Sequence, residues 1–250
     1  MQIDGAPILI TGASRGIGAA TARHLAARGA KVGLVARSAA PLEALAEETG
    51  GLALALDVAD WDAVAGAVAR MEAAFGPVAG LVNNAGLIDP IARIEDSDPK
   101  AWATVVNVNL TGAYNALRAV LPGMGARGTG VVVNISSGAA TGALEGWSHY
   151  CATKAGLLSL TKVADKEMAP KGVSVVGLSP GTVATEMQRE IKASGINPVS
   201  RLDWEAHIPA EEVAQAIGWL FEAGAARHAG TDFSLKTPEG RAEVGLPPRG

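Results

Sequence analysis

The sequence is short of several things, and each shortage excludes something. It has a single cysteine, Cys151, so no internal disulfide framework can staple it. Aromatic residues make up only 4% of the chain, so its core must be built from Ala, Val, Leu and Ile. There is no basic run and the formal net charge is −4, which gives nucleic acid or an acidic membrane no electrostatic footprint. No apolar stretch approaches the roughly 18 residues that span a bilayer. Met1 to Pro7 carry neither the basic nor the apolar region of a secretory signal, so a cytoplasmic location is expected. No His/Cys/Asp cluster has metal-ligand spacing, and no metal is expected.

What is present is a regular alternation. Short apolar runs read as buried parallel strands: Ile8–Thr11, Val32–Ala36, Leu52–Leu56, Leu81–Asn83, Val131–Ile135 and Val173–Leu178. Ala-rich segments with helical spacing lie between them: Ile17–Arg28, Pro41–Thr49, Trp61–Phe75, Ala101–Leu121 and Tyr150–Met168. Repeated strand–helix units predict an α/β fold, a doubly wound parallel sheet of the Rossmann type with helices on both faces. No linker divides the chain, so one domain is expected over residues 1–250. Residues 180–209 form a long segment with a short helix near Glu186–Ala193, and a loop of that length in a compact domain usually binds substrate. Glu211–Phe221 reads as a further helix and Thr231–Leu235 as a last strand; the tail after Pro238 has no periodic pattern.

The first strand runs into Thr11-Gly12-Ala13-Ser14-Arg15-Gly16-Ile17-Gly18 and then a helix. Glycines allow a close backbone approach, and a helix start offers free N–H groups to a pyrophosphate. The second strand ends in Arg37, where an NAD site would place a carboxylate for the ribose 2′-hydroxyl. Arg15 and Arg37 could instead bracket a 2′-phosphate, which points to NADP(H).

Tyr150 and Lys154 stand four residues apart at the start of a helical segment and so share a face. A phenol with pKa about 10 needs about 4 kcal/mol of help to exchange protons near neutrality. A neighbouring ammonium is expected to lower it. Ser137 follows the strand Val131–Ile135, where a hydroxyl can hold a carbonyl oxygen beside the phenol; Ser136 should point to the other side of an extended chain. His149 is expected to face elsewhere, and Cys151 to pack.

These motifs, with Asn83-Asn84-Ala85-Gly86 and Pro180-Gly181, resemble in order and spacing the short-chain dehydrogenase/reductase family from about Pro7 to Met187. The resemblance implies that Tyr150 is the general acid/base, Lys154 its partner on the nicotinamide ribose, and Ser137 the substrate-orienting hydroxyl. It implies that Asn109 is a fourth catalytic residue holding a water toward Lys154, with Asn107 structural. The implied cofactor residues are Gly12, Ser14, Arg15, Gly16, Ile17, Gly18, Arg37, Asp57, Val58, Asn83, Ala85, Gly86, Tyr150, Lys154, Pro180, Gly181, Val183 and Thr185. Where the family's short branch usually ends in Val-Asp-Gly-Gly, this chain reads Thr231-Asp-Phe-Ser-Leu-Lys236; a homodimer therefore competes with the usual homotetramer. Ser136-Ser137-Gly138-Ala139-Ala140, Gly146-Trp147-Ser148 and Thr185-Glu186-Met187-Gln188 are similar to the sepiapterin and benzil reductase subgroup, which implies a diketone or aryl ketone.

Ser137, Trp147, Tyr150 and Met187 are the leading substrate contacts, with Leu87, Ala139, Leu144 and Trp204 as further candidates. The expected activity is NADPH-dependent reduction of a ketone, or oxidation of a secondary alcohol. The competing expectations are an NADP(H)-sensing protein without turnover and a 3-oxoacyl thioester reductase. A sensor has no use for Ser137, Tyr150 and Lys154 together.

Overall fold

The computed structural model describes residues 1–249. Seven strands form one parallel sheet: β1 (Pro7–Thr11), β2 (Lys31–Ala36), β3 (Leu52–Ala55), β4 (Gly80–Asn83), β5 (Gly130–Ile135), β6 (Val173–Ser179) and β7 (Asp232–Ser234). Their spatial order is β3-β2-β1-β4-β5-β6-β7. The order turns round between β1 and β4, so the chain ends there open a crevice at the C-terminal edge, the place where such sheets bind ligands.

The strands are apolar throughout because both faces are covered. Ile8 and Ile10 of β1 pack into one core with Leu25 and Ile217, while Leu9 between them joins Met71 and Leu117 in the other. The first face is covered by α1 (Gly16–Ala26), α2 (Ala39–Thr49) and α8 (Ala210–Trp219); the second by α3 (Trp61–Phe75), α5 (Gly112–Arg127) and α6 (Ser148–Met168). Caps fix several of these helices: the Asp60 side chain accepts from Ala63 N at 3.1 Å at the head of α3. Asp98 does the same for Ala101 N at 2.7 Å in α4 (Pro99–Val106).

Two elements depart from the expected pattern. The helix expected over Ala101–Leu121 runs from Pro99 to Arg127, through a π-helical turn at Asn107–Thr111 and past Pro122. Val120 and Met124 are buried on either side of that proline, so packing outweighs the lost hydrogen bond. The tail also holds a helix, α10 (Pro238–Val244). Thr237 caps it by accepting from Gly240 N at 3.1 Å, Pro238 sits in its first turn and Gly245 closes it in the left-handed region.

The segment 180–209 is tied at its neck by a bridge between Val183 and Ile208. It carries α7 (Glu186–Ser194) and two 3₁₀ turns, Pro198–Arg201 and Trp204–Ala206. One further helical turn, α9 (Ala225–His228), precedes β7.

Candidate active site

A single cavity of about 1640 Å³ runs along the C-terminal edge of the sheet. One end is the glycine loop between β1 and α1. Gly12 and Gly16 both lie in the left-handed region, at φ +66° and +54°. A Cβ on Gly12 would come to 2.8 Å of Ala85 Cα, and one on Gly16 to 3.1 Å of Thr185 Cγ2. No side chain caps the start of α1 and its first turn holds no acid, so its N–H groups remain for an anion. This backbone cradle fits a pyrophosphate, because its helix N–H groups are uncapped and its glycines let the loop pack against Ala85 and Thr185 in a conformation that side chains disfavour. Asn84 holds the loop shut from below, donating Nδ2 to Thr11 O and Gly12 O at 3.0 Å each.

Beyond the loop, Arg15, Arg37, Ser38, Asp57 and Val58 line the same cavity. Arg15 and Arg37 are exposed, and neither makes an ion pair among the described residues. Asp57 spends one oxygen on Ala59 N at 2.9 Å, which fixes the turn after β3.

The other end is built by β5, α6 and the 180–209 segment. Ser137 leaves β5 in an extended conformation, accepts from Ala139 N at 3.1 Å, and lines the cavity together with Tyr150. Tyr150 is buried one turn into α6, packed edge-on against Trp147 with ring centroids 5.5 Å apart. Lys154 lies on the same helix face, its Nζ 5.5 Å from the Tyr150 ring and donating to Ile135 O at 2.6 Å.

The electrostatics run against the expectation from spacing. Burial pushes the Tyr150 phenol up to about 12, with the Ser137 hydrogen bond working the other way. Burial also pushes Lys154 down to about 8, opposed by the charge of Asp232. An ammonium four residues away does not by itself acidify this phenol. Both groups have lost water, which disfavours the charged form of each.

All of the expected cofactor and substrate positions line the cavity except Gly18, Asn83 and, among the catalytic candidates, Asn109. Gly18 packs the loop on itself: a Cβ there would come to 2.2 Å of Gly12 O. Asn83 is buried within the sheet, donating to Asn134 Oδ1 at 2.9 Å and Ala113 O at 3.2 Å. It joins β4 to β5, and its neighbour Asn84 faces the cavity. Asn109 sits in the π-helical turn with its amide committed to Leu87 and Thr153: Oδ1 accepts from Leu87 N at 2.7 Å, and Nδ2 donates to Leu87 O at 2.8 Å. Its amide thereby steadies the Gly86-Leu87 wall. Asn107, expected to be structural, is exposed. Ala139, Leu144, Trp147 and Met187 pack in one apolar cluster with Tyr150, Leu87 lines the cavity from the other core, and Trp204 lies toward the glycine loop beside Ser14 and Arg15, whereas His149 and Cys151 lie outside the lining.

Three residues escaped the reading of the sequence. Asn84 was hidden inside a motif taken as a unit. Asp232 and Lys236 lie in the atypical C-terminal stretch, yet Asp232 bonds Ser136 and Lys236 lines the cavity. The Lys236 stem covers Gly181, and its Nζ lies 3.7 Å from where a Cβ on Gly138 would stand.

Comparison with known proteins agrees with this geometry. The short chain dehydrogenase family matches residues 6–195. The acetoacetyl-CoA reductase of Rhizobium meliloti (strain 1021) is 39% identical over 220 residues, covering 85% of this chain and 89% of that protein. The 3-oxoacyl-(acyl-carrier-protein) reductase of Pseudomonas aeruginosa is 35% identical over 239 residues, covering 90% and 94%. Among solved structures, levodione reductase superposes with a TM-score of 0.86 at 28% identity, covering 96% of this chain and 99% of that one. A glycine cradle at the head of α1, a buried Tyr150 and Lys154 with Ser137 in the same cavity, and relatives matched over most of their length converge: this chain belongs to the short-chain dehydrogenase family, oxidoreductases that exchange a hydride between a nicotinamide cofactor and a carbonyl or alcohol carbon.

Proposed function

We propose that this chain is an NADPH-dependent carbonyl reductase, able to run as a secondary-alcohol dehydrogenase in reverse. The observation that carries this reading is the buried Tyr150 with Lys154 on the same face of α6, set with Ser137 in the wall of the cavity that also holds the glycine cradle. NADPH would supply the hydride. Gly12, Gly16 and the head of α1 hold its pyrophosphate, and Asn84 keeps that loop in shape. Pro180, Gly181, Val183 and Thr185 line the nicotinamide side.

Ser137 and Tyr150 together grip the substrate oxygen. A phenol raised to about 12 is firmly protonated at neutral pH, and so is a hydrogen-bond donor to a ketone. Tyr150 gives its proton to that oxygen as charge develops there. Lys154 steadies the phenolate that remains. Trp147, Leu144 and Met187 exclude water from the reacting atoms. Asn109 supports this by locking Leu87 and Thr153. The choice of NADP(H) over NAD(H) rests on Arg15 and Arg37, two exposed guanidiniums without carboxylate partners beside Ser38.

Lys236 bears on the substrate. A cation beside Gly138 and Ser137 favours a ketone that carries a negative group, such as a 3-oxoacyl thioester on a phosphorylated carrier, over a neutral aryl diketone. The names of the two sequence relatives support the same class. The chain works in this account as one domain with 180–209 as its substrate loop, in the cytoplasm, as a homodimer or homotetramer. Among the described residues no helix is long and apolar enough to cross a membrane. Tyr114 on α5 and Val163 on α6 are exposed large apolar side chains that a second copy could cover.

NADPH oxidation against a panel of 3-oxoacyl thioesters, 3-oxoacids, cyclic ketones and aryl diketones tests the reading. Turnover with at least one ketone class is expected, fastest with an anionic one. NADPH binding with no turnover of any ketone would leave the sensing alternative.

A further inference from the structure

Behind the catalytic trio, the ends of β5, β6 and β7 meet on one carboxylate. Asp232 opens β7, and its Oδ2 accepts from Ser136 Oγ at 3.0 Å and from Ser179 Oγ at 3.2 Å. Its Oδ1 is buried without a hydrogen-bond partner. Ser136 stands between Ile135, whose carbonyl takes the Lys154 ammonium at 2.6 Å, and Ser137, which lines the cavity with Tyr150. One carboxylate therefore touches the turn that carries both polar partners of the proton-transfer site.

Two serine hydroxyls could be satisfied by any neutral acceptor, such as an amide oxygen. Placing a charge in a half-buried position costs more, and is explained only by a cation that it faces. Two lysines of α6 act on it through charge without an ion-pair contact: the buried Lys154, whose Nζ sits on the carbonyl of Ile135, next to Ser136, and the exposed Lys162. Two other charged groups lie near that end of the sheet: Asp165 of α6 is turned toward β6 and spends one oxygen on Val175 N, and Lys236, just past β7, lies over Gly181 with its Nζ near Gly138 on the cavity side. We propose that Asp232 is a positioning residue for the reaction, whose charge, anchored by Ser136 and Ser179, sustains the Lys154 ammonium. This rests on the reading that Lys154 must be charged to serve Tyr150.

The signs are consistent. Burial drives Lys154 down to about 8, and the Asp232 charge opposes that fall. Burial also raises the Asp232 carboxyl, and the two serine bonds and the two lysines oppose that in turn. Neutralising Asp232 leaves Lys154 with burial alone, so its proton is lost at lower pH. Below that range Lys154 is charged in either protein.

The test is the pH profile of ketone reduction, with NADPH affinity followed by its fluorescence in parallel, for Asp232→Asn and Asp232→Ser. Asn keeps an oxygen for both serines and removes only the charge; Ser removes charge and shape. Both variants should lose about tenfold in kcat/KM at about pH 8.5 while staying within about twofold of the native enzyme at about pH 6.5. NADPH affinity should weaken over the same alkaline range. If Asp232→Asn keeps the native profile, or if the two variants lose activity equally at every pH, the charge has no such role. Failure of the reductase reading itself would look different: the native protein would bind NADPH and turn over no ketone.

Discussion

At the adenine end of the cavity the walls are backbone and exposed side chains; at the proton-transfer end they are buried side chains. Gly12, Gly16 and the first turn of α1 make an anion site whose properties follow from chain geometry alone. Arg15 and Arg37 add charge that water already solvates. At the other end Tyr150 and Lys154 are both buried, and burial moves them in opposite directions, to about 12 and about 8. The first end can be assembled from motif spacing. The second cannot, because spacing fixes which groups meet and the surroundings decide which of them carries charge.

The widest gap between the two ends should open with Tyr150→Phe. Removing the hydroxyl should lower ketone reduction by roughly 10²–10⁴-fold, the usual worth of a positioned general acid. NADPH affinity should hardly change, because the adenine end is untouched. Comparable losses in binding and turnover would mean that the two ends are not separable.

Arg37→Asp perturbs the opposite end. It should cost NADPH on the order of tenfold in kcat/KM and raise the use of NADH, since one bidentate phosphate partner is replaced by a carboxylate. An unchanged NADPH/NADH ratio would remove Arg37 from the cofactor site. A smaller effect is expected from Lys236→Glu. Reduction of a 3-oxoacid or 3-oxoacyl thioester should fall about fivefold, mostly in KM, as for a solvent-screened charge, while a neutral ketone should be nearly unaffected. Equal losses on both substrates would make Lys236 a structural residue.

The sheet was readable from sequence because parallel strands covered on both faces are written as uninterrupted apolar runs, and all seven were found within a residue of their ends. The glycine loop and the Ser137–Tyr150–Lys154 set were readable because the chemistry demands particular residue types at fixed separations. What was not readable has a common cause. Asn83 and Asn109 belong to recognisable motifs, but which neighbours their amides hold depends on partners 22 to 51 residues away. Asp232 and Lys236 belong to no motif and reach the site only because β7 joins the sheet beside β6. The helix α10 had its signals in plain view, Thr237-Pro238 at the start and Gly245 at the end, but it is too short for periodicity to register.

Burial keeps the Tyr150 phenol protonated in the protein alone, and the positive ring of bound NADP⁺ would favour its phenolate. The chain has two tyrosines, and Tyr114 is exposed. The difference in phenolate absorbance between the native protein and Tyr150→Phe therefore isolates Tyr150. In the protein alone that difference should titrate near 12, and saturating NADP⁺ should bring it down markedly. A Tyr150 that ionises below about 10 without cofactor, or whose titration NADP⁺ leaves in place, would contradict the account.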